Sequence, residues 1–72
     1  MKIIDTRKEE FIHPIIIALE AYFKASEGEK IEIVFESNMD FNYLKDYLSE
    51  RGIGFREIYT GTEMRIQIQK QE

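Results

Sequence analysis

The sequence contains no cysteine and no tryptophan, and the missing cysteine has the wider consequence. Of the 72 residues, none can supply a disulfide, a thiolate zinc ligand, an iron–sulfur ligand or a thiol nucleophile. Since tryptophan is also absent, the core is left to Ile, Leu, Phe and Tyr. The lack of cysteine does not by itself indicate a cellular compartment.

Basic residues and long apolar runs are also scarce. The chain has 10 Lys and Arg against 14 Asp and Glu, a net charge of −4. Because nonspecific nucleic-acid affinity comes from cations that neutralise phosphates, this balance argues against binding to nucleic acid, and to acidic membranes likewise. No run approaches the roughly 20 apolar residues of a membrane span, and Asp5 comes too soon for a signal peptide. We expect a cytoplasmic protein that does not bind membranes.

The length and the few linker residues indicate one domain over residues 1–72. A chain this short buries only about 60% of its unfolded surface, which leaves room for one core and at most a shallow surface site. The single proline, Pro14, is typical of a helix start rather than of a domain boundary.

Two segments have the spacing of amphipathic helices. The first begins near Pro14 and ends near Gly28, and the second runs from Ser37 to Gly52. Ile17 lies opposite the apolar stripe of the first helix, so we expect it to face solvent, as part of a contact surface or as an isolated apolar residue. The residues predicted to form a buried stripe in the first helix are Ile12, Ile15, Ile16, Leu19, Tyr22 and Phe23. In the second helix, the residues that recur at helical spacing are Phe41, Leu44, Tyr47, Leu48 and Arg51.

Four segments have the composition or alternation of strands. They are predicted at Lys2 to Asp5, at residues 29–36, from Phe55 to about Tyr59, and from Met64 to Gln69, with a turn at residues 60–62. The alternation places Ile31, Ile33 and Phe35 in the core and Glu32, Val34 and Glu36 in water. The order is therefore strand, helix, strand, helix, strand, strand.

Right-handed crossovers convert this order into a fold. We expect an α+β protein, a two-layer α/β sandwich in which both helices cover one face of a four-stranded mixed sheet. The other face would be open, with Glu32, Arg65, Gln67 and Gln69 exposed on it.

Few side chains are arranged for chemistry. His13 alone titrates near neutral pH and precedes a helix start that would favour an anion, so it is either an acid–base candidate or an ordinary helix-start residue. There is no second histidine and no calcium-loop pattern, and the aromatic residues fit core packing better than base stacking. The sequence predicts no catalytic residue, no cofactor and no metal site.

The spacing of several residues resembles the TusA/SirA-like family of small sulfur-carrier proteins. Asp5 matches the acid after the family's first strand, Pro14 the second proline of its Cys-Pro-x-Pro motif, and Gly28-Glu29 the turn before its second strand. The segment from Glu36 to Asn38 matches the turn into its second helix, and Met64 to Lys70 its closing strand. The resemblance spans nearly the whole chain and implies the two-layer fold also seen in the C-terminal domain of translation initiation factor three.

The chain departs from this family at the motif itself. The same alignment places Phe11 at the cysteine, Ile12 at the first proline and His13 at the variable position. In the family, the cysteine at the helix start carries a persulfide sulfur, which Phe11 cannot do. The resemblance therefore implies the fold and a docking surface for partners, without sulfur transfer.

The leading hypothesis is a non-catalytic module that binds a protein partner or regulates it. Its docking surface would comprise Phe11, Ile12, His13, Pro14 and Ile17, since aromatic residues serve interfaces well. Phe11 alternatively packs against the first turn of the helix.

A second hypothesis is an accessory subunit of a sulfur-transfer or redox complex whose cysteine lies on a partner. A third is self-association through the acidic sheet face or an open edge strand, so that the chain is a monomer or a weak homo-oligomer.

Overall fold

Two helices and four strands follow one another in the predicted order in a computed structural model that describes residues 1–8 and 12–70. The strands are β1 (Lys2–Asp5), β2 (Lys30–Phe35), β3 (Phe55–Thr60) and β4 (Glu63–Gln69), and the helices are α1 (Pro14–Lys24) and α2 (Asn38–Glu50). The predicted α+β class is confirmed. Among the described helices, neither has the length and apolar character needed to cross a bilayer.

The strands form one mixed sheet in the order β1-β2-β4-β3. β1 runs parallel to β2, whereas β4 is antiparallel to both of its neighbours. The hairpin between β3 and β4 closes through Gly61 and Thr62, and Gly61 has a φ of 62°, which favours glycine. β1 and β3 are therefore the two edges of the sheet.

The core lies between the helices and one face of the sheet. Alternate residues of β2 and β4 point to this face, as expected for strands covered on one side. Both helices contribute to the same buried cluster, which fits the predicted two-layer arrangement. Its members are Ala18, Tyr22, Ile31, Ile33, Phe35, Phe41, Leu44, Leu48, Met64, Ile66 and Ile68.

Local signals set the ends of the helices. Pro14 occupies the first turn of α1, where its missing N–H is not needed, and the Ser37 side chain caps α2 by accepting a hydrogen bond from the Asp40 amide at 3.4 Å. α1 ends at Lys24, because Ala25 is already extended. Gly28 has a φ of 83° and so takes the expected left-handed conformation. It lies in the turn before β2 and not at the end of α1.

The predicted buried stripe of α1 is partly wrong. Ile12, Ile16 and Phe23 are about half exposed, whereas Ala18 is fully buried. The small Ala18 side chain lies at the centre of the face that packs on the sheet, and this rotates Ile16 and Phe23 toward solvent. Ile17, predicted to face solvent, is half-buried.

The predicted solvent face of β2 is also partly wrong. Glu32 and Val34 are buried on the face of the sheet opposite the helices. Glu32 accepts hydrogen bonds from Arg65 and Gln67, which lie beside it on β4. β2 is an interior strand, so side chains of its neighbours cover both of its faces. The face predicted to be open is closed at its centre.

We expect Ile16→Ala to lower the free energy of unfolding by less than about 1 kcal/mol, because the side chain is half in water. Leu44→Ala, which empties a fully buried site, should cost about 2–5 kcal/mol. Urea unfolding of both variants compares the two values. Equal losses would mean that Ile16 lies in the core, as the sequence pattern alone suggests.

Candidate functional site

The residues predicted to form a docking surface lie at the start of α1. Ile12 and His13 are exposed, and Pro14 and Ile17 are half-buried. Phe11, the proposed anchor, lies outside the described residues. The exposed part of the predicted surface is therefore carried by Ile12 and His13, and Ile16 adds to it one turn into the helix.

His13 is the N-cap residue of α1, but its side chain makes no capping hydrogen bond. Its backbone carbonyl accepts from the amides of Ile16 and Ile17 at 2.9 and 3.4 Å. The Ile15 amide is instead bonded by Asp40 of α2, whose Oδ1 lies 3.3 Å away. A carboxylate from the second helix thus performs the capping that His13 does not.

Asp40 changes the electrostatics of both helix starts. Its side chain belongs to the first turn of α2 and also contacts the first turn of α1. Helix N-termini attract negative charge, and here a built-in carboxylate already supplies it. An incoming anion would meet an occupied amide and a like charge, so this helix start is poorly suited to hold one.

The two helices lie side by side and run in the same direction. The Ile15–Asp40 hydrogen bond joins their N-terminal turns, and the rings of Phe23 and Tyr47 meet edge-to-face near their C-terminal turns, with centroids 6.4 Å apart. Residues of the two first turns therefore share one end of the helical layer.

Apolar side chains are concentrated at this end. Met39 is 80% exposed, Tyr43 59%, Ile16 52% and Ile12 48%. Met39 and Tyr43 lie four residues apart within α2 and therefore share one face of it, whereas Ile12 precedes α1 and Ile16 lies in its first turn. We call these four side chains the helix-start surface.

The sequence reasoning missed Met39 and Tyr43. Both lie off the buried stripe of α2, which Phe41, Leu44 and Leu48 form, so helical spacing alone would have placed them on its outer side. The contact of Asp40, which lies between them in the sequence, with the first turn of α1 is not revealed by any local pattern.

The opposite side of the molecule carries a network of ion pairs. Arg7 donates two hydrogen bonds to the Asp5 carboxylate at 2.8 and 2.9 Å and one to Glu63 at 2.9 Å. Glu63 in turn accepts from Arg65 at 2.7 Å, and Arg65 also binds Glu32. Gln67 completes the chain by donating to Glu32 at 2.6 Å.

The network lowers the pKa of each of its carboxyl groups. Hydrogen bonds from the Arg7 side chain hold the pKa of Asp5 far below its usual range. Those from Gln67 and then Arg65 lower the pKa of Glu32, and the bond from Arg65 lowers that of Glu63. All three groups are thus charged and paired at neutral pH.

The described residues contain no cluster of His, Asp and Glu that could hold a metal ion.

Comparisons of the chain with protein-family models, with curated proteins and with solved structures found no match.

The network predicts a loss of stability in acid. A carboxyl group whose pKa is lower in the folded state stabilises the protein above its unfolded pKa, and that contribution is lost as the pH falls through the folded pKa. The free energy of unfolding should therefore drop progressively below about pH 5. Glu32→Gln should cost about 1–3 kcal/mol at pH 7 and flatten this dependence.

Urea unfolding at several pH values between 3 and 7 measures the effect. The matched control is Glu36→Gln, since Glu36 is exposed at the end of the same strand. If the free energy of unfolding falls with decreasing pH as steeply in Glu32→Gln as in the control, the ion pair of Glu32 does not contribute to the loss of stability in acid.

The occupied helix start makes a second prediction. Thiosulfate or sulfide at millimolar concentration should leave the amide NMR signals of residues 12–16 unshifted, because Asp40 holds the Ile15 amide. In Asp40→Ala the same titration should shift them. Saturable shifts in the unaltered chain would favour the accessory role in sulfur transfer instead.

Proposed function

We propose that the protein is a non-catalytic binding module that docks a protein partner on the helix-start surface. The observation that carries the proposal is the exposure of Ile12, Ile16, Met39 and Tyr43 at one end of the helical layer. Large exposed apolar side chains that gather in one region of a soluble protein mark interaction sites. Methionine and tyrosine adapt well to a partner, and tyrosine is enriched among the residues that dominate binding energy.

His13 and Pro14 lie between Ile12 and Ile16 in the sequence, and Ile17, which is half-buried, follows them; we include all three in the proposed site. Phe11 precedes it in the chain and is the remaining member of the proposed site. The nearest helix amide, that of Ile15, is already bonded to Asp40. The apolar surface is therefore better suited to bind the surface of a protein than to bind a small anion. This is the physical reason to prefer docking over the accessory sulfur-transfer role.

We further propose that the chain is a cytoplasmic, cysteine-lacking relative of the TusA/SirA-like sulfur carriers. The element order and the mixed four-stranded sheet support this resemblance. Phe11 would then stand where that family has its sulfur-bearing cysteine. A reactive position would have become an apolar contact, while docking remained.

Paired capture experiments test the docking surface. Immobilised wild-type protein should retain a specific partner from a lysate, and the double variant Ile12→Ser/Ile16→Ser should lose at least about nine-tenths of it, as for loss of interface anchors. Phe11→Ala should weaken capture in the same direction.

The matched control is Ile3→Ser, which removes a side chain of similar exposure (58%) from the other side of the sheet. It should retain the partner fully. Thermal unfolding of each variant verifies that the fold is intact. Equal capture by the double variant and the control would overturn the proposal.

A further inference from the structure

The outer edge of β3 offers a second interaction surface, formed by backbone groups of the sheet. β3 ends the sheet, and its six residues pair with β4 without interruption. Within residues 1–8 and 12–70, no strand pairs with its other side. An edge strand of this length presents a row of backbone groups that another strand can bind.

The backbone register shows which residues present these groups. The amide of Lys70 donates to the carbonyl of Glu29 at 2.8 Å, so Lys70 and every second residue before it direct their backbone groups toward β2. The intervening residues of β4, Glu63, Arg65 and Gln67, therefore bond to β3. Their partners on β3 are Thr60, Ile58 and Arg56. It follows that Phe55, Glu57 and Tyr59 direct their N–H and C=O groups outward.

A second copy of the same chain can pair with this edge about a two-fold axis. Antiparallel pairing brings same-face residues opposite each other, and two axis positions keep most of the strand paired: one at Glu57 and one at Ile58. Both positions use the outward groups for hydrogen bonds. The backbone geometry of the β3 edge alone therefore allows two registers for pairing with the second copy.

Charge selects between them. An axis at Glu57 would set two carboxylates directly opposite each other, which destabilises a strand pair. An axis at Ile58 places Glu57 opposite Tyr59 of the second copy and Arg56 opposite Thr60. Within each copy Lys45 lies 3.1 Å from Glu57 and partly offsets the repulsion at a Glu57 axis, whereas an axis at Ile58 avoids that repulsion. The two half-buried Ile58 side chains then meet at the axis on the face away from the helices.

We propose that the protein forms a homodimer in which β3 pairs antiparallel with β3 of a second copy about an axis at Ile58. The two sheets join into one continuous sheet, and the helices of both copies lie on the same side of it. The helix-start surface is not used, so each copy can still dock a partner. The opposite edge is a poorer candidate, because β1 has only four residues.

Cysteine cross-linking tests the register, since the native sequence contributes no thiol. Opposed residues of a non-hydrogen-bonded pair have Cα atoms about 4.5 Å apart, within disulfide range. Under mild oxidation, Ile58→Cys should form a disulfide-linked dimer at least about tenfold faster than Arg56→Cys. The two Arg56 positions would lie four residues apart along the strands, about 13 Å. An equal mixture of Arg56→Cys and Thr60→Cys should cross-link at about half the rate of Ile58→Cys, because about half of its dimers pair the two variants.

Equal rates for Ile58→Cys and Arg56→Cys would overturn the register. Ile3→Cys, exposed on the other edge strand, reports the rate of random collision. A rate for Ile58→Cys no higher than that of Ile3→Cys would overturn the dimer itself.

Sedimentation of the full chain tests the edge independently. Wild type should dimerise with rising concentration, and Glu57→Ala, which keeps the backbone donor, should do so too. Glu57→Pro removes the outward donor twice per dimer and spares the bonds to β4, so its dimer dissociation constant should rise at least about tenfold. A monomeric wild type, or a dimer that Glu57→Pro leaves intact, would contradict the proposal.

Discussion

The carboxylate of Asp40 holds the first turn of α1 against the first turn of α2, and the character of the helix-start surface depends on this contact. Without it, the amide of Ile15 would face solvent at a positively polarised helix end, which is where a small anion binds. With it, that polar group is bonded, and the exposed surroundings are Ile12, Ile16, Met39 and Tyr43. One side chain thus makes the site poor for anions and good for an apolar partner.

The other face of the sheet is stabilised differently. Glu32 is buried among Arg65 and Gln67, and the ion pairs continue through Glu63 and Arg7 to Asp5. A buried carboxylate is tolerated only when its charge is paired and its oxygens are bonded, and both conditions hold here. The polar groups at the centre of this face are therefore already bonded to one another. Among the described strands, unpaired backbone groups remain at the two edges, of which β3 is the longer continuous strand.

The sequence predicts regular, local features well and long-range contacts poorly. The alternation of Met64, Ile66 and Ile68 places β4 correctly because strand periodicity is local, and Ser37 identifies the start of α2 in the same way. The prediction for Ile16 fails because the spacing of the large apolar residues was used to place the buried stripe, whereas the small Ala18 is fully buried and Ile16 is half exposed. The contacts of Glu32 and Asp40 depend on residues 25 or more positions away, so no local pattern indicates them.

Asp40 closes the start of α1 to anions, and the pKa of a thiol placed there is the most direct measure of that closure. His13→Cys introduces the only thiol of the chain at the N-cap, where the thiolate would need the amide that Asp40 occupies. Its thiolate absorbance should titrate at or above the ordinary value of about 8.5, and adding Asp40→Ala should lower that pKa by about one unit or more. A thiol pKa well below 8.5 with Asp40 in place would contradict the account.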